Sequence, residues 1–160
     1  MIIVIYGPPA SGKSTVATEM AKRLEGAKVL TSDEFRRKTY SRFLREASLL
    51  AGKGKHLVLS GTFYRKAWRD EARRIASESG ERVIFVRLRC SLETCLRRNR
   101  ERASPVEEKA VRIIHAEFEE GDEDLSINTE VTEAGEAAEM IIKLLSGAEG
   151  SRGACPRKSF

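Results

Sequence analysis

Residues 7–15 read Gly7-Pro8-Pro9-Ala10-Ser11-Gly12-Lys13-Ser14-Thr15 and follow directly on an unbroken apolar run, Ile2-Ile3-Val4-Ile5-Tyr6. Consecutive apolar residues closed by a glycine suit a short strand buried on both faces. The glycine spacing then suits a loop whose amide groups turn inward, because glycine reaches backbone angles that side chains forbid. Together these are the parts of a G-x-x-x-x-G-K-[ST] phosphate cradle. Val16, Ala17, Met20, Ala21 and Leu24 fall on one helical face after it. A helix starting near Lys13 would point its positive end at the bound anion. The stretch predicts a nucleoside triphosphate held by Gly7, Pro8, Ala10, Ser11, Gly12, Lys13, Ser14 and Thr15, with Lys13 reaching the β- and γ-phosphates and Ser14 holding Mg²⁺.

The rest of the chain alternates in the same way. Lys28–Thr31, Leu57–Ser60, Val83–Leu88 and Leu125–Thr129 read as further strands. Between them lie periodic segments. Tyr40, Phe43, Leu44, Ala47, Leu50 and Ala51 share one face, with Ser32 or Asp33 as the cap; Trp68, Ala72, Ile75 and Ala76 share another. A helix from Ser91 buries Leu92, Cys95 and Leu96. Ser104-Pro105-Val106-Glu107 carries a capping serine, a proline in the first position and a glutamate three residues on, which predicts a helix start. That helix would bury Val106, Ala110, Ile113, Ile114 and Phe118. Glu119 to Asp124 reads as an acidic loop, and Ala134, Ala138, Ile141, Ile142 and Leu145 as the inner face of a last helix. Strands alternating with helices predict a parallel sheet covered on both faces. Residues 1–146 are expected to form one domain and 147–160, Gly-, Ser- and Arg-rich without a period, a disordered tail.

At 160 residues the chain has room for one core and none for a second substrate-binding domain. No apolar run is long enough to span a membrane, and the amino terminus lacks a signal-peptide pattern, so a soluble, cytoplasmic protein is expected. Cys90, Cys95 and Cys155 form no C-x-x-C pair, and the two histidines are too scattered for a metal cluster. The net charge of +5 suits an anionic partner, RNA included, without requiring one.

Ligands of such sheets bind beyond the carboxyl ends of the strands. After the second strand comes Ser32-Asp33-Glu34-Phe35-Arg36-Arg37. Asp33 would face the γ-phosphate from the side opposite Lys13, where it could accept the proton of an attacking hydroxyl or orient a magnesium-bound water. Arg36, and Arg37 beside it, could neutralise an anionic acceptor. After the third strand, Ser60-Gly61 stands where many phosphate-loop proteins carry an Asp that orders magnesium, which leaves that task to Ser14 and Asp33. Tyr64 and Arg65 could line an acceptor pocket. The run Arg97-Arg98-Asn99-Arg100-Glu101-Arg102 could fold over the triphosphate, with Arg98 and Arg102 on the phosphates. Thr129 would border the adenine.

With Gly7–Thr15, Asp33-x-x-Arg36, Tyr64-Arg65, the Arg98–Arg102 run and Thr129 in hand, the chain resembles the small P-loop kinases of the polynucleotide kinase, adenylylsulfate kinase and seryl-tRNA(Sec) kinase group. Within that group it is most similar to the seryl-tRNA(Sec) kinase domain and its elongator-associated relative, which share the arginine lid and an element like Glu117-Phe118-Glu119-Glu120. The resemblance implies a three-layer α/β/α fold with a five-stranded sheet in the order 2-3-1-4-5, ATP and Mg²⁺, Asp33 as base, and the arginine lid. The tRNA kinases' paired aspartates after strand three are Ser60-Gly61 here, and a carboxyl-terminal tRNA-binding domain like theirs is not expected in these 160 residues. The lid sequence of adenylylsulfate kinases is absent as well, so the acceptor stays open among a nucleotide, an adenylylsulfate-like metabolite and RNA. The expectation is an ATP-dependent kinase acting on a hydroxyl of an anionic acceptor. The alternative is a nucleotide-dependent ATPase or switch acting in tRNA modification.

Overall fold

The computed structural model describes residues 1–35 and 39–150. Its centre is β1 (Ile2–Tyr6), which pairs in parallel with β3 (His56–Gly61) on one side and β4 (Val83–Arg89) on the other. Beyond these lie β2 (Ala27–Thr31) and β5 (Leu125–Asn128), giving the order β2-β3-β1-β4-β5. The five-stranded parallel sheet and its order agree with the sequence-based expectation. Every residue of β1 is 0% exposed, because successive side chains enter opposite layers. Ile2, Val4 and Tyr6 pack with α2 (Thr39–Leu50) and α3 (Lys66–Glu78). Ile3 and Ile5 pack with α1 (Lys13–Arg23) and α6 (Ala134–Gly150). At about 1.5–3 kcal/mol for each large apolar side chain buried, this two-sided packing makes β1 a firm support for the loop that follows it. The register aligns Tyr6 with Gly61 and with Arg87, so the loops after these strands open at one edge.

The remaining helices, α4 (Leu92–Arg100) and α5 (Glu108–Ala116), stand over that edge around a small core of Cys90, Cys95, Leu96 and Val111. Here the structure corrects the sequence. Ser104-Pro105 does not start a helix: α5 begins at Glu108 with Glu107 in the capping position. Of the expected inner face, Ile113 is 43% exposed, while Val111 is fully buried. The reason is tertiary. Asn99 binds both backbone polar groups of Val106, at 2.9 and 2.7 Å, and holds the segment out of the helix that local capping would have started. Likewise Ser32 and Asp33 do not cap α2; they belong to a separate 3-10 turn, Ser32–Glu34.

Two arginines are buried, Arg69 fully and Arg87 nearly so. Arg69 donates to Phe63 O (2.6 Å) and Glu119 O (2.8 Å) and faces Asp122 at 3.5 Å. Arg87 pairs with Glu120 and lies over the Phe118 ring. The acidic stretch is therefore a strap fastened to the sheet, with Phe118 stacked on Tyr6 and Tyr6 Oη donating to Gly121 O. Helix α6 continues to Gly150, past the end of the expected domain, and residues 151–160 of the expected tail lie outside the described residues. Among the described residues no helix is long and apolar enough to cross a membrane.

Candidate active site

The phosphate loop turns on two left-handed residues, Ala10 (φ 62°) and Gly12 (φ 97°). Glycine takes such angles freely, whereas at Ala10 the strain is of order 1 kcal/mol or more. Gly7 serves closeness instead: a Cβ there would sit 2.5 Å from Leu88 O and 2.9 Å from Ser11 Oγ. Ser11 N donates to Pro8 O (3.2 Å) and Val16 N to Gly12 O (3.0 Å), closing the turn into α1. Lys13 Nζ donates to Pro8 O at 2.7 Å. Burial pushes the Lys13 amine down to about 8, against the opposing pull of Asp33 and with the help of Arg102. Both groups act on Lys13 across one space.

That space is a cavity of about 390 Å³. Its floor is Pro9, Ala10, Gly12, Lys13, Ser14 and Thr15. One wall is Ser32 and Asp33 with Ser60, Gly61 and Thr62; the lid contributes Arg98, Arg102, Val106 and Ile114. Lys13, Ser14, Asp33, Arg98 and Arg102, drawn from three separate stretches of chain, therefore line one chamber. The Asp33 carboxylate is exposed and lies 3.8 Å from Arg102 Nη2. Arg98 donates from Nη1 to Thr129 Oγ1 (3.0 Å) and from Nη2 to Thr129 O (2.8 Å). Thr129 Oγ1 in turn donates to Ser11 O at 2.8 Å, so the lid helix, the end of β5 and the phosphate loop are joined. Thr129 lines an adjoining groove of about 540 Å³ with Gly12, Thr15, Arg98 and residues 130–134. Glu130 ties that groove to the start of α4, accepting from Ser91 Oγ (2.8 Å) and from Thr94 Oγ1.

Some predicted residues lie elsewhere. Pro8 faces a small cleft behind the loop, with Arg87, Cys90 and His115. Tyr64 and Arg65 do not line the cavity. Phe63, buried at φ 41°, turns the chain, so that Tyr64 packs edge-on against Trp68 and Arg65 reaches Glu117 at 3.7 Å. Arg36 and Arg37 lie outside the described residues.

Other contributors escaped the sequence reading. Tyr40, placed only on a core face, sends its hydroxyl to Thr62 Oγ1 (2.9 Å) and accepts from Phe63 N (2.7 Å). Gly61 is explained by the same contact, since a Cβ there would stand 2.7 Å from Tyr40 Oη and 3.1 Å from Ser32 Oγ. A carboxylate side chain at position 61 has no room. In the sequence Asn99 reads only as a member of the arginine lid and Val106 only as the buried face of an expected helix, and nothing local links the two. Among the described residues no cluster of three His, Cys, Asp or Glu side chains forms a metal cage. The donor set present is a hydroxyl and a carboxylate, Ser14 and Asp33, both exposed and facing one cavity. Such hard oxygen donors fit Mg²⁺, which takes few protein ligands and completes its shell with phosphate oxygens and water.

A parallel sheet in this order with a glycine-rich loop after its central strand is the architecture of the P-loop nucleotide-binding kinases. The AAA domain family (AAA_33) matches residues 2–121, and the chain belongs to that family. Uncharacterised proteins of Mycobacterium bovis and Mycobacterium tuberculosis are 29% identical to it over 56% of this chain and 23% of their own length. The chain thus spans about a quarter of these relatives. Among solved structures, Chaetomium thermophilum Kti12 in complex with ADP-AlF3 superposes with a TM-score of 0.77 at 17% identity, covering 92% of this chain and 98% of that one. The Mycobacterium tuberculosis APS kinase CysC in complex with AMPPNP and APS gives 0.72 at 24%, over 91% and 96%. The Deinococcus radiodurans tunicamycin resistance protein gives 0.67 at 20%, over 90% and 94%. At these identities the likeness is one of fold.

Proposed function

We propose that the protein is an ATP-dependent phosphotransferase that moves the γ-phosphate to a hydroxyl of an anionic acceptor. The observation that carries this reading is the convergence of Lys13, Ser14, Asp33 and two lid arginines on one cavity. A site for nucleotide alone would need the loop and its lysine. The wall beyond Asp33, with Ser32, Ser60 and Thr62 below and Val106 and Ile114 above, adds room for a second reactant.

In this mechanism the loop amides and Lys13 hold the β- and γ-phosphates, and Arg98, Arg102 and the amino end of α1 spread the charge of the transferring group. Asp33 orients the acceptor hydroxyl and receives its proton at a carboxylate oxygen as the new bond to the γ-phosphorus forms and the bond from that phosphorus to the β–γ bridging oxygen breaks, releasing ADP. Ser14 and Asp33 would hold Mg²⁺, which when bound neutralises charge on the phosphate oxygens. Positioning supplies most of the acceleration, since phosphoryl transfer asks little covalent chemistry of the protein.

The test is transfer of labelled phosphate from ATP to a panel of adenylylsulfate, nucleosides, 5′-hydroxyl RNA and bulk tRNA, beside a reaction without acceptor. Label in one acceptor class, with slow hydrolysis in its absence, is the expected result. Steady hydrolysis that no acceptor alters would overturn it in favour of a nucleotide-dependent switch.

A further inference from the structure

Asn99 sits in the last turn of α4 among arginines, yet it is only 1% exposed. Val106 N donates to its Oδ1 at 2.9 Å, and its Nδ2 donates to Val106 O at 2.7 Å. One side chain thereby satisfies both polar groups of a residue in irregular backbone, much as a neighbouring strand would. The contact closes the loop between α4 and α5. Glu101 N and Arg102 N fold back onto the carbonyls of Arg98 and Asn99, each at 3.2 Å. Within that loop, Arg102 and Val106 both line the cavity. The Asn99 amide is the buried tie across this span, beside the exposed Arg100–Glu108 pair and the packing of Val106 on the small core. Arg102 already stands 3.8 Å from Asp33 across the mouth.

We propose that Asn99 is the positioning residue of the lid: its two hydrogen bonds to Val106 hold the loop preformed, so that Arg102 is aimed over the triphosphate before nucleotide arrives. The inference rests on the nucleotide-binding reading given above. It goes further in assigning a task to a neutral side chain that touches no reacting atom. Without the clamp the loop would have to order on binding, and affinity would fall although every charged group remained.

Two measurements test it. Amide hydrogen exchange in the free protein is expected to show Val106 protected relative to its exposed loop neighbours in wild type and unprotected in Asn99→Leu. Exchange at Val106 as fast as at Ser104 in wild type would overturn the clamp. The second is a double-mutant cycle on affinity for the Mg²⁺ complex of AMPPNP, using Asn99→Leu, Arg102→Ala and both together. Asn99→Leu is expected to weaken binding about fivefold alone and less than about twofold once Arg102 is Ala, because a residue that acts through another loses its effect when that other is gone. Additive losses would overturn the positioning role.

Asn99→Asp serves as the milder variant. It keeps an acceptor for Val106 N–H but sets a carboxylate against Val106 C=O, and should fall between wild type and Asn99→Leu in both measurements; full exchange and full affinity together would contradict the proposal. Wild-type protein that fails to bind AMPPNP would remove the nucleotide reading itself, an outcome distinct from an additive cycle.

Discussion

The floor and the roof of the cavity are held by different physics. Beneath, the phosphate loop hangs from β1, whose residues are wholly buried and paired on both sides. Above, α4 and α5 pack around a cluster of four buried apolar residues, Cys90, Cys95, Leu96 and Val111. Their place is set by polar side chains: Asn99 on Val106, Arg98 on Thr129, Glu130 on Ser91 and Thr94, and Arg69 on Glu119. A floor made by sheet formation cannot shift without unfolding the domain. A roof tied by a few polar contacts can open locally at much lower cost.

The sharpest way to break this contrast is to remove the roof's deepest anchor. Arg69→Leu leaves Phe63 O and Glu119 O without their donor and leaves Asp122 with Arg73 as its cation. A loss of about 2–5 kcal/mol is expected in urea unfolding, from two carbonyls left without a donor in the interior. A loss below about 1 kcal/mol would mean that the strap does not hang on Arg69.

On the floor, Lys13→Ala should weaken ATP binding about 10–100-fold, the worth of a charge-assisted hydrogen bond to phosphate. Its unfolding midpoint should scarcely change, which calorimetry with and without nucleotide can check. The same lysine sets a pH dependence. Burial lowers its amine to about 8, so the free protein loses this charge as pH rises through that value, while a bound triphosphate favours the charged form. Binding above about pH 8 must then take up a proton, and wild-type affinity should fall there by up to about tenfold per unit. Lys13→Ala should lack that break.

The smallest effects sharpen the comparison within the lid. Ser91 accepts from Thr94 N and caps α4, so Ser91→Ala should cost about 1 kcal/mol in thermal unfolding. Ser104, which looks like the better cap in the sequence, lies in the irregular segment before α5. Ser104→Ala should stay within about 0.5 kcal/mol; equal losses for the two would contradict the described start of α5.

That pair of serines also marks how far the sequence could be read. The floor was legible because its demands are local. Gly12 must be left-handed, Lys13 must follow it, and a doubly buried strand must precede them. Strand alternation gave the sheet, and the resemblance carried its order. The lid was legible as a run of arginines but not as a shape, because a side-chain amide seven residues away decides the conformation of Val106. Arg69 and Arg87 were hidden for the same reason: their partners, Glu119 to Asp122, are more than thirty residues distant. Gly61 was visible as a missing carboxylate, yet its cause, the Tyr40 hydroxyl, lies on another element.

The central claim is that Asp33 and Lys13 serve one triphosphate from opposite sides. Asp33→Asn keeps the shape of the side chain and removes its charge, so the measurement that tests the claim most directly compares this variant with wild type in ATP affinity and in labelled-phosphate transfer to the active acceptor. The account predicts affinity within about threefold of wild type and transfer lowered at least about a hundredfold, as for loss of a positioned general base. Undiminished transfer would take Asp33 out of the chemistry and contradict the account.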